Sequence, residues 1–183
     1  MEISDKELYQ KYLTGDNSAF EEIVKRHKEH IIYFIARYTK NTDIAEDISQ
    51  DVFVYLLLHK DQYDFKYSFK TYLYMIAKCR AINYLKREKR AISGLDYNNL
   101  YIEDNDLEEI VYKNEASQNI RKVINKLKPD YQAVICLTSL EGFKYKEVAK
   151  IMNKNVGQVK VMLNRAKRKL KEALEKEGFS YEV

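Results

Sequence analysis

Residues 144–175 read KYKEVAKIMNKNVGQVKVMLNRAKRKLKEALE. Two helical periods meet there, with Asn153, Lys154 and Asn155 between them. In the first, Val148, Ile151 and Met152 recur at helical spacing, and Ala149 leaves room for a second helix to approach. Asn tolerates the left-handed conformation that ends a helix, so Asn153 is the expected stop. Asn155 suits an N-cap, and Gln158 three residues later completes a capping box. The second helix carries Val159, Leu163, Ala166, Leu170 and Ala173 on one stripe. At about 100° per residue, Gly157, Val161, Asn164, Arg165 and Arg168 fall opposite, flanked by Lys160, Lys167 and Lys171. A helix entering a major groove needs an apolar back and an outer face of small, amide and guanidinium groups. Arg reads guanine edges there, and Asn reads adenine. An amphipathic surface helix with a solvated basic face has the same pattern, so the helix pair alone leaves both readings open.

Upstream, Ile120, Val123, Ile124 and Leu127 form another helical stripe. Pro129 is placed to start the next helix, Val134, Ile135, Leu137, Thr138 and Leu140 continue it, and Gly142 is its expected stop. Seven cations lie between residues 160 and 176 against Glu172 and Glu175. Residues 93–117 have the opposite character: seven carboxylates against Lys113 alone, interspersed with asparagine. They read as an acidic linker with at most a helical turn near residues 107–111. It is either a solvated tether or a segment that occupies a basic channel or covers this chain's own basic helices.

The first ninety residues hold a second helical domain. A short amphipathic helix is expected over residues 3–13. Ser18 to Glu21 reads as a capping box opening a helix with Phe20, Ile23, Val24, His27, Ile31, Phe34 and Ile35 inward. His27 is most simply a packed or half-exposed ring. After a break at Asn41, Thr42 and Asp43, a helix to about residue 58 puts Ile44, Ile48, Val52, Phe53 and Leu56 inside. Its other side carries Glu46, Asp47, Gln50, Asp51 and Val54. That acidic strip either complements the helix dipole or docks a basic partner. The segment DQYDFKYSFKT (61–71) is aromatic and punctuated by lysine. It leads into a helix over about residues 69–90, with Leu73, Ile76, Ala77, Ala81, Ile82 and Leu85 inward and six cations against Glu88 near its end. Opened DNA needs ring faces for its bases and cations for its phosphates. Tyr63, Phe65, Tyr67, Phe69, Tyr72 and Tyr74 are candidate rings, although Phe69 and Leu73 at i, i+4 read as core.

The chain has 183 residues, 45% apolar and 33% charged, with one Pro and five Gly, so long helices and modest cores are expected. Strand alternation, glycine-rich phosphate loops and repeats are absent from the sequence. Cys79 and Cys136 each sit in an apolar helical pattern and read as buried, reduced thiols. Three His without ligand spacing give no metal or cofactor site, and no nucleophile or carboxylate arrangement supports an enzyme. The start MEISDKELYQ lacks an apolar signal core, and no run reaches membrane-spanning length. A cytoplasmic protein without direct membrane insertion is expected.

Four stretches in order carry a resemblance: GDNSAFEEIVKRH (15–27), DIAEDISQDVFVYLL (43–57), SFKTYLYMIAKCRAINYLKR (68–87) and LKPDYQAVICLTSLEGFKYKEVAKIM (127–152). The chain resembles the extracytoplasmic-function group of the sigma-70 family of bacterial RNA polymerase sigma factors. The resemblance implies an all-α fold with a region 2 domain (1–92), an acidic linker (93–117) and a region 4 helix-turn-helix domain (118–178). It implies no catalysis and no cofactor. Asp47, Gln50 and Asp51 match the family's D-x-x-Q-[ED] pattern, which, with Val54 beside it, would dock on the clamp helices of the largest subunit of core RNA polymerase. Phe65, Lys66, Ser68, Lys70, Arg80, Asn83, Lys86 and Arg87 would capture the minus-ten element of promoter DNA and help to open it. The linker would thread toward the polymerase active-site and RNA-exit channels. Gln158, Lys160, Val161, Asn164, Arg165 and Arg168 would read the minus-thirty-five element, with the second domain resting on the flap of the second-largest subunit. An anti-sigma factor, often membrane-bound in the family, is expected as a further partner.

The sequence departs from the family pattern at its reading face. The common Ser/Thr-x-Gly-Thr-Val-Lys-Ser-Arg-Leu is Asn155-Val156-Gly157-Gln158-Val159-Lys160-Val161-Met162-Leu163 here. Val161 in place of Ser would suit a thymine methyl and an A·T-rich site. Lys144 stands where Ser is a common cap, and Tyr72 where Trp is common. The main rival is a stand-alone helix-turn-helix regulator. It predicts tight duplex binding without polymerase and leaves the first ninety residues without a role.

Overall fold

The structure is a computed structural model that describes residues 3–91 and 122–177. The chain divides into two compact units, Met1–Leu107 and Glu108–Val183. Every regular element among the described residues is helical. The expected acidic linker, its helical turn and Ile120 lie outside the described residues.

The first unit contains α1 (Asp5–Leu13), α2 (Asn17–Thr39), α3 (Thr42–Leu58), a single 3-10 turn (Lys60–Gln62) and α4 (Phe69–Ala91). Ser4 opens α1 with a capping box the sequence reading did not pick out. Its hydroxyl accepts the Glu7 N–H (3.3 Å) while the Glu7 carboxylate accepts the Ser4 N–H (2.9 Å). The expected box at Ser18 is corrected. Asp16 caps α2, accepting the Ala19 N–H at 3.3 Å, and Ser18 only donates its hydroxyl to Asp16 at 2.6 Å. A carboxylate at a helix N-terminus is the stronger acceptor and also complements the dipole, so the helix begins earlier than the hydroxyl would place it.

α2 packs against α1, α3 and α4, and α3 packs against α4. Ile23, Ile31, Phe34 and Ile35 of α2 meet Val52 and Leu56 of α3 and Leu73, Tyr74 and Ala77 of α4 in a fully buried core. His27 is buried, while Val24 and Ile44 are half-buried. On α4, the buried positions stop at Ala81; Ile82 and Leu85, expected inside, are half-buried as the helix continues past its neighbours. Cys79 is exposed, which overturns its reading as a buried thiol. Ala77 and Ala81 occupy the packed stripe, and position 79 lies about 200° round the helix from 77.

In the second unit, residues 122–125 are helical and Val123 is buried. α5 (Pro129–Ile135) begins on its proline and runs into a π-helical turn (Cys136–Leu140). Gln132 is fully buried, and its amide nitrogen donates to the carbonyls of Asn125 (2.9 Å) and Leu127 (2.7 Å), pinning the preceding helix end. The expected inward Leu140 is instead 56% exposed. The Glu141 N–H reaches back five residues to the Cys136 carbonyl (3.0 Å), and this wider turn takes Leu140 off the α-helical stripe. Gly142 ends the element at φ +69°, where a side chain would be strained.

α6 (Tyr145–Met152) and α7 (Val156–Lys176) form the helix pair. Asn153 adopts the left-handed conformation (φ 53°, ψ 52°). The Asn155–Gln158 capping box is present in both directions, at 2.8 and 2.9 Å. Lys144 has no side-chain oxygen, but the Glu147 carboxylate accepts its N–H at 2.9 Å, so half of a capping box survives at α6. α7 packs on α5 and α6 through buried Val159, Leu163, Ala166 and Leu174.

Candidate functional site

Three surfaces emerge from these helices. The first lies on α3. Asn41 accepts the Ile44 N–H at 3.0 Å and sets the helix start. From there Ile48, Val52 and Leu56 turn inward and Asp47, Gln50, Asp51 and Val54 turn outward, all four exposed. The outward strip continues into Leu57 and Leu58, also exposed, which the sequence reading missed. Carboxylates grading into apolar groups along one face suit a partner helix that is itself basic and apolar.

The second surface runs from residue 60 through α4. Tyr63 is buried, donates its hydroxyl to the Tyr67 carbonyl (2.6 Å) and stacks on Tyr72 (5.0 Å between centroids, 21° between planes). Burial pushes the phenols of Tyr63 and Tyr72 above their ordinary range, so both stay protonated. Phe69 and Tyr74 are also core. Tyr63, Phe69 and Tyr74 are therefore removed from the list of candidate rings, and Phe65, Tyr67 and Tyr72 stay partly exposed. Phe65 has φ 57°, a conformation that costs a bulky residue about 1–3 kcal/mol and persists only where its surroundings hold it. Lys66 is exposed, and its backbone N–H donates to the Asp64 carboxylate at 3.0 Å.

Ser68 acts as the cap of α4. Its hydroxyl accepts the Thr71 N–H (3.2 Å) and lies 2.8 Å from the Thr71 hydroxyl. Lys70 is half-buried, with its ammonium 6.0 Å from the Tyr74 ring centre. The Arg80 guanidinium lies 5.0 Å from the ring centre of Tyr55 on α3, and the Tyr55 hydroxyl donates to Gln62 at 2.6 Å. Tyr55 thus joins the helix that bears the acidic strip to the basic helix, a role no local spacing announces. Asn83, Lys86 and Arg87 are exposed, and the Asn83 amide donates to the Cys79 sulfur at 3.6 Å.

The third surface is the outer face of α7. Lys160, Val161, Asn164, Arg165 and Arg168 are all exposed there, Val161 by 49%. Gln158 is exposed too, but its carbonyl oxygen is engaged by the cap. Met162, where the family pattern has Arg, is half-buried at the edge of this face. Arg168 lies 3.8 Å from Glu172, whose carboxyl is held below its usual range mainly by a hydrogen bond from Lys169. The face offers an amide, an apolar side chain and guanidinium groups at helical spacing, the chemistry that fits base edges and phosphates.

Among the described residues, no group of three or more His, Cys, Asp or Glu could hold a metal ion. No described helix is long and apolar enough to cross a membrane.

Comparison with known proteins covers the segments that carry these surfaces. The family described as sigma-70 region 2 matches residues 23–91, and the family described as sigma-70, region 4 matches residues 117–170. The chain is 31% identical to the ECF RNA polymerase sigma factor SigW of Bacillus subtilis over 95% of its own length and 98% of that protein's. It is 27% identical to the ECF RNA polymerase sigma-E factor of Escherichia coli, over 91% and 92% of the two chains. Among solved structures, the fold is similar to CnrH in complex with the cytosolic domain of CnrY, with a TM-score of 0.69, 22% identity and coverage of 95% and 99%. It is also similar to the sigma factor RpoE in complex with the anti-sigma factor NepR from Bartonella quintana, with a TM-score of 0.71, 21% identity and coverage of 85% and 96%. On identity across nearly its whole length, the chain belongs to the extracytoplasmic-function sigma factors of the sigma-70 family.

Proposed function

We infer that this chain is a sigma factor that binds core RNA polymerase and directs transcription initiation at specific promoters. The observation that carries the reading is the 31% identity to an ECF sigma factor across 95% of the chain. Family membership makes it a non-enzymatic initiation factor. A stand-alone regulator is not favoured, because region 2 would then have no role.

The finer assignment follows the three surfaces. Asp47, Gln50, Asp51 and Val54, extended by Leu57 and Leu58, dock on the clamp helices of the largest subunit. Phe65, Lys66, Lys70, Arg80, Asn83, Lys86 and Arg87 meet the minus-ten element as it opens, with Ser68 fixing the start of their helix. Val161, Asn164, Arg165 and Arg168, flanked by Lys160 and Gln158, read the minus-thirty-five duplex. The second unit rests on the flap of the second-largest subunit. An anti-sigma protein is a further partner, supported by similar folds found in complexes with CnrY and NepR. The working location is the cytoplasm, where the polymerase is.

Run-off transcription with bacterial core polymerase tests the reading on a library of genomic promoter fragments. Initiation that depends on this protein and shares a pair of sequence elements is the expected result. Duplex binding by the protein alone, without initiation, would transfer the case to the regulator reading. The docking assignment has its own check. Asp51→Lys reverses an exposed charge and is expected to weaken core-polymerase binding at least tenfold, a loss on the scale of close interfacial charge pairs. Unchanged affinity would move the docking face elsewhere.

A further inference from the structure

Residues 60–68 connect α3 to α4, and their shape decides where Phe65 and Lys66 point. Within this segment the bonds from Tyr63 to Tyr67 and from Lys66 to Asp64 give local order. Neither reaches across to another helix. Phe65 sits in the left-handed region (φ 57°), so a contact from elsewhere must hold it there.

The Tyr63 ring lies 4.5 Å from that of Phe65, Tyr55 of α3 holds Gln62 at 2.6 Å, and α1 braces Tyr63 and Phe65 together from behind. Tyr9 is fully buried and donates its hydroxyl to the Lys60 carbonyl at 2.9 Å. Its ring meets those of Tyr63 (5.3 Å), Phe65 (6.4 Å) and Phe69 (4.9 Å). One side chain from a separate helix therefore ties the start of the segment, its strained middle and the first residue of α4. α1 is itself locked to α2. The Asp5 carboxylate lies 2.7 Å from Nε2 of buried His27, and Arg26 donates to the Ile3 carbonyl (2.7 Å) and to Asp5 (3.4 Å). The region 2 family match begins at residue 23, after α1 has ended.

We propose that Tyr9 is a positioning residue for promoter opening, holding residues 60–68 in the shape that presents Phe65 and Lys66 to the minus-ten strand. This rests on the minus-ten reading of that surface. Tyr9 touches no DNA in this scheme; it acts through the segment it braces. A tyrosine that only fills the core would tolerate loss of its hydroxyl with no consequence beyond stability. A bracing tyrosine would not, because the hydroxyl is the link to Lys60.

The test uses the full chain assembled with bacterial core polymerase. It compares binding of a single-stranded oligonucleotide carrying the minus-ten sequence with binding of a scrambled one. If the wild-type assembly shows no preference, the minus-ten reading itself fails, and this proposal with it. Given a preference, Tyr9→Phe is expected to reduce the matched-to-scrambled ratio about fivefold, the equivalent of one hydrogen bond, with core-polymerase affinity unchanged. Full discrimination by Tyr9→Phe, whatever its stability, would overturn the proposal and leave the minus-ten reading standing. Asp5→Asn loosens α1 from outside the core and provides a second route should Tyr9→Phe not fold. It is expected to lower the same ratio about twofold, and an unchanged ratio would again refute the brace.

Discussion

α4 and α7 both end in clusters of cations, yet the two helices present the residues proposed to meet DNA by opposite means. On α7 the face proposed to read the minus-thirty-five duplex is a property of one continuous helix, started by the Asn155–Gln158 box and held from behind by Val159, Leu163 and Ala166. The residues that would touch DNA need only helical periodicity to be in register. On the α4 surface, Phe65 and Lys66 belong to a segment ahead of the helix, and Arg80 rests on a ring from α3. Their placement depends on Tyr9 and Tyr55, which come from other helices. Reading an intact duplex requires a rigid rod of fixed spacing. Holding an unstacked strand requires rings and cations that converge from several elements.

The largest way to break this contrast is to remove the back of the rod. Leu163→Ala is expected to destabilise the second unit by about 2–5 kcal/mol, leaving the first unit's unfolding in place. Calorimetry resolves the two: a drop in both transitions would mean that the units do not unfold independently. A smaller change acts on the face alone. Arg165→Ala is expected to weaken use of the minus-thirty-five element by about 1–3 kcal/mol and relax the sequence preference at one position. A uniform loss over all sequences with a shallower salt slope would make Arg165 a phosphate contact instead.

The smallest effect concerns the lock that serves the first unit. The hydrogen bond to His27, with the Arg26 charge helping, holds the Asp5 carboxyl below its ordinary 3.8. A carboxyl with a lowered folded-state value contributes its stability above the ordinary value and loses it as pH falls through the folded one. The gap in Tm between wild type and Asp5→Asn should therefore be present near neutral pH and close below about pH 3.8. A gap that persisted in stronger acid would show that the substitution acts by packing and not by charge.

How much of this could be read in advance follows the range of each interaction. The α6–α7 turn was legible because Asn153, Asn155 and Gln158 act on backbone groups within five residues of themselves. The outward strip Asp47, Gln50, Asp51 and Val54 was legible because one helical period sorts it from Ile48 and Val52. The cap of α2 was misread by two residues, since Asp16 and Ser18 both offer oxygens and only their relative acceptor strength separates them. Phe69 was legible as core from its i, i+4 spacing with Leu73, but Tyr63 and Tyr74 could not be told from Phe65 and Tyr72 by composition; partners from α1 and α2 bury them. The links from Tyr9 to Lys60, His27 to Asp5 and Gln132 to two carbonyls leave no periodic trace, because each joins positions that only the folded chain brings together.

The π-helical turn at Cys136–Leu140 has a consequence for chain length. A turn closed over five residues where four would do holds one residue in reserve, immediately before the glycine that ends the element. The helix pair beyond Gly142 should thus tolerate the loss of one residue upstream of it. Deleting Ser139 should convert the turn to ordinary α-helix and carry Leu140 toward the packed stripe, leaving α6 and α7 in register. Amide exchange along α7 that matched the parent protein would bear this out, and loss of protection there would show that no slack exists. Such a turn gives the chain a place where shortening by one residue should leave the outer face of α7 undisturbed.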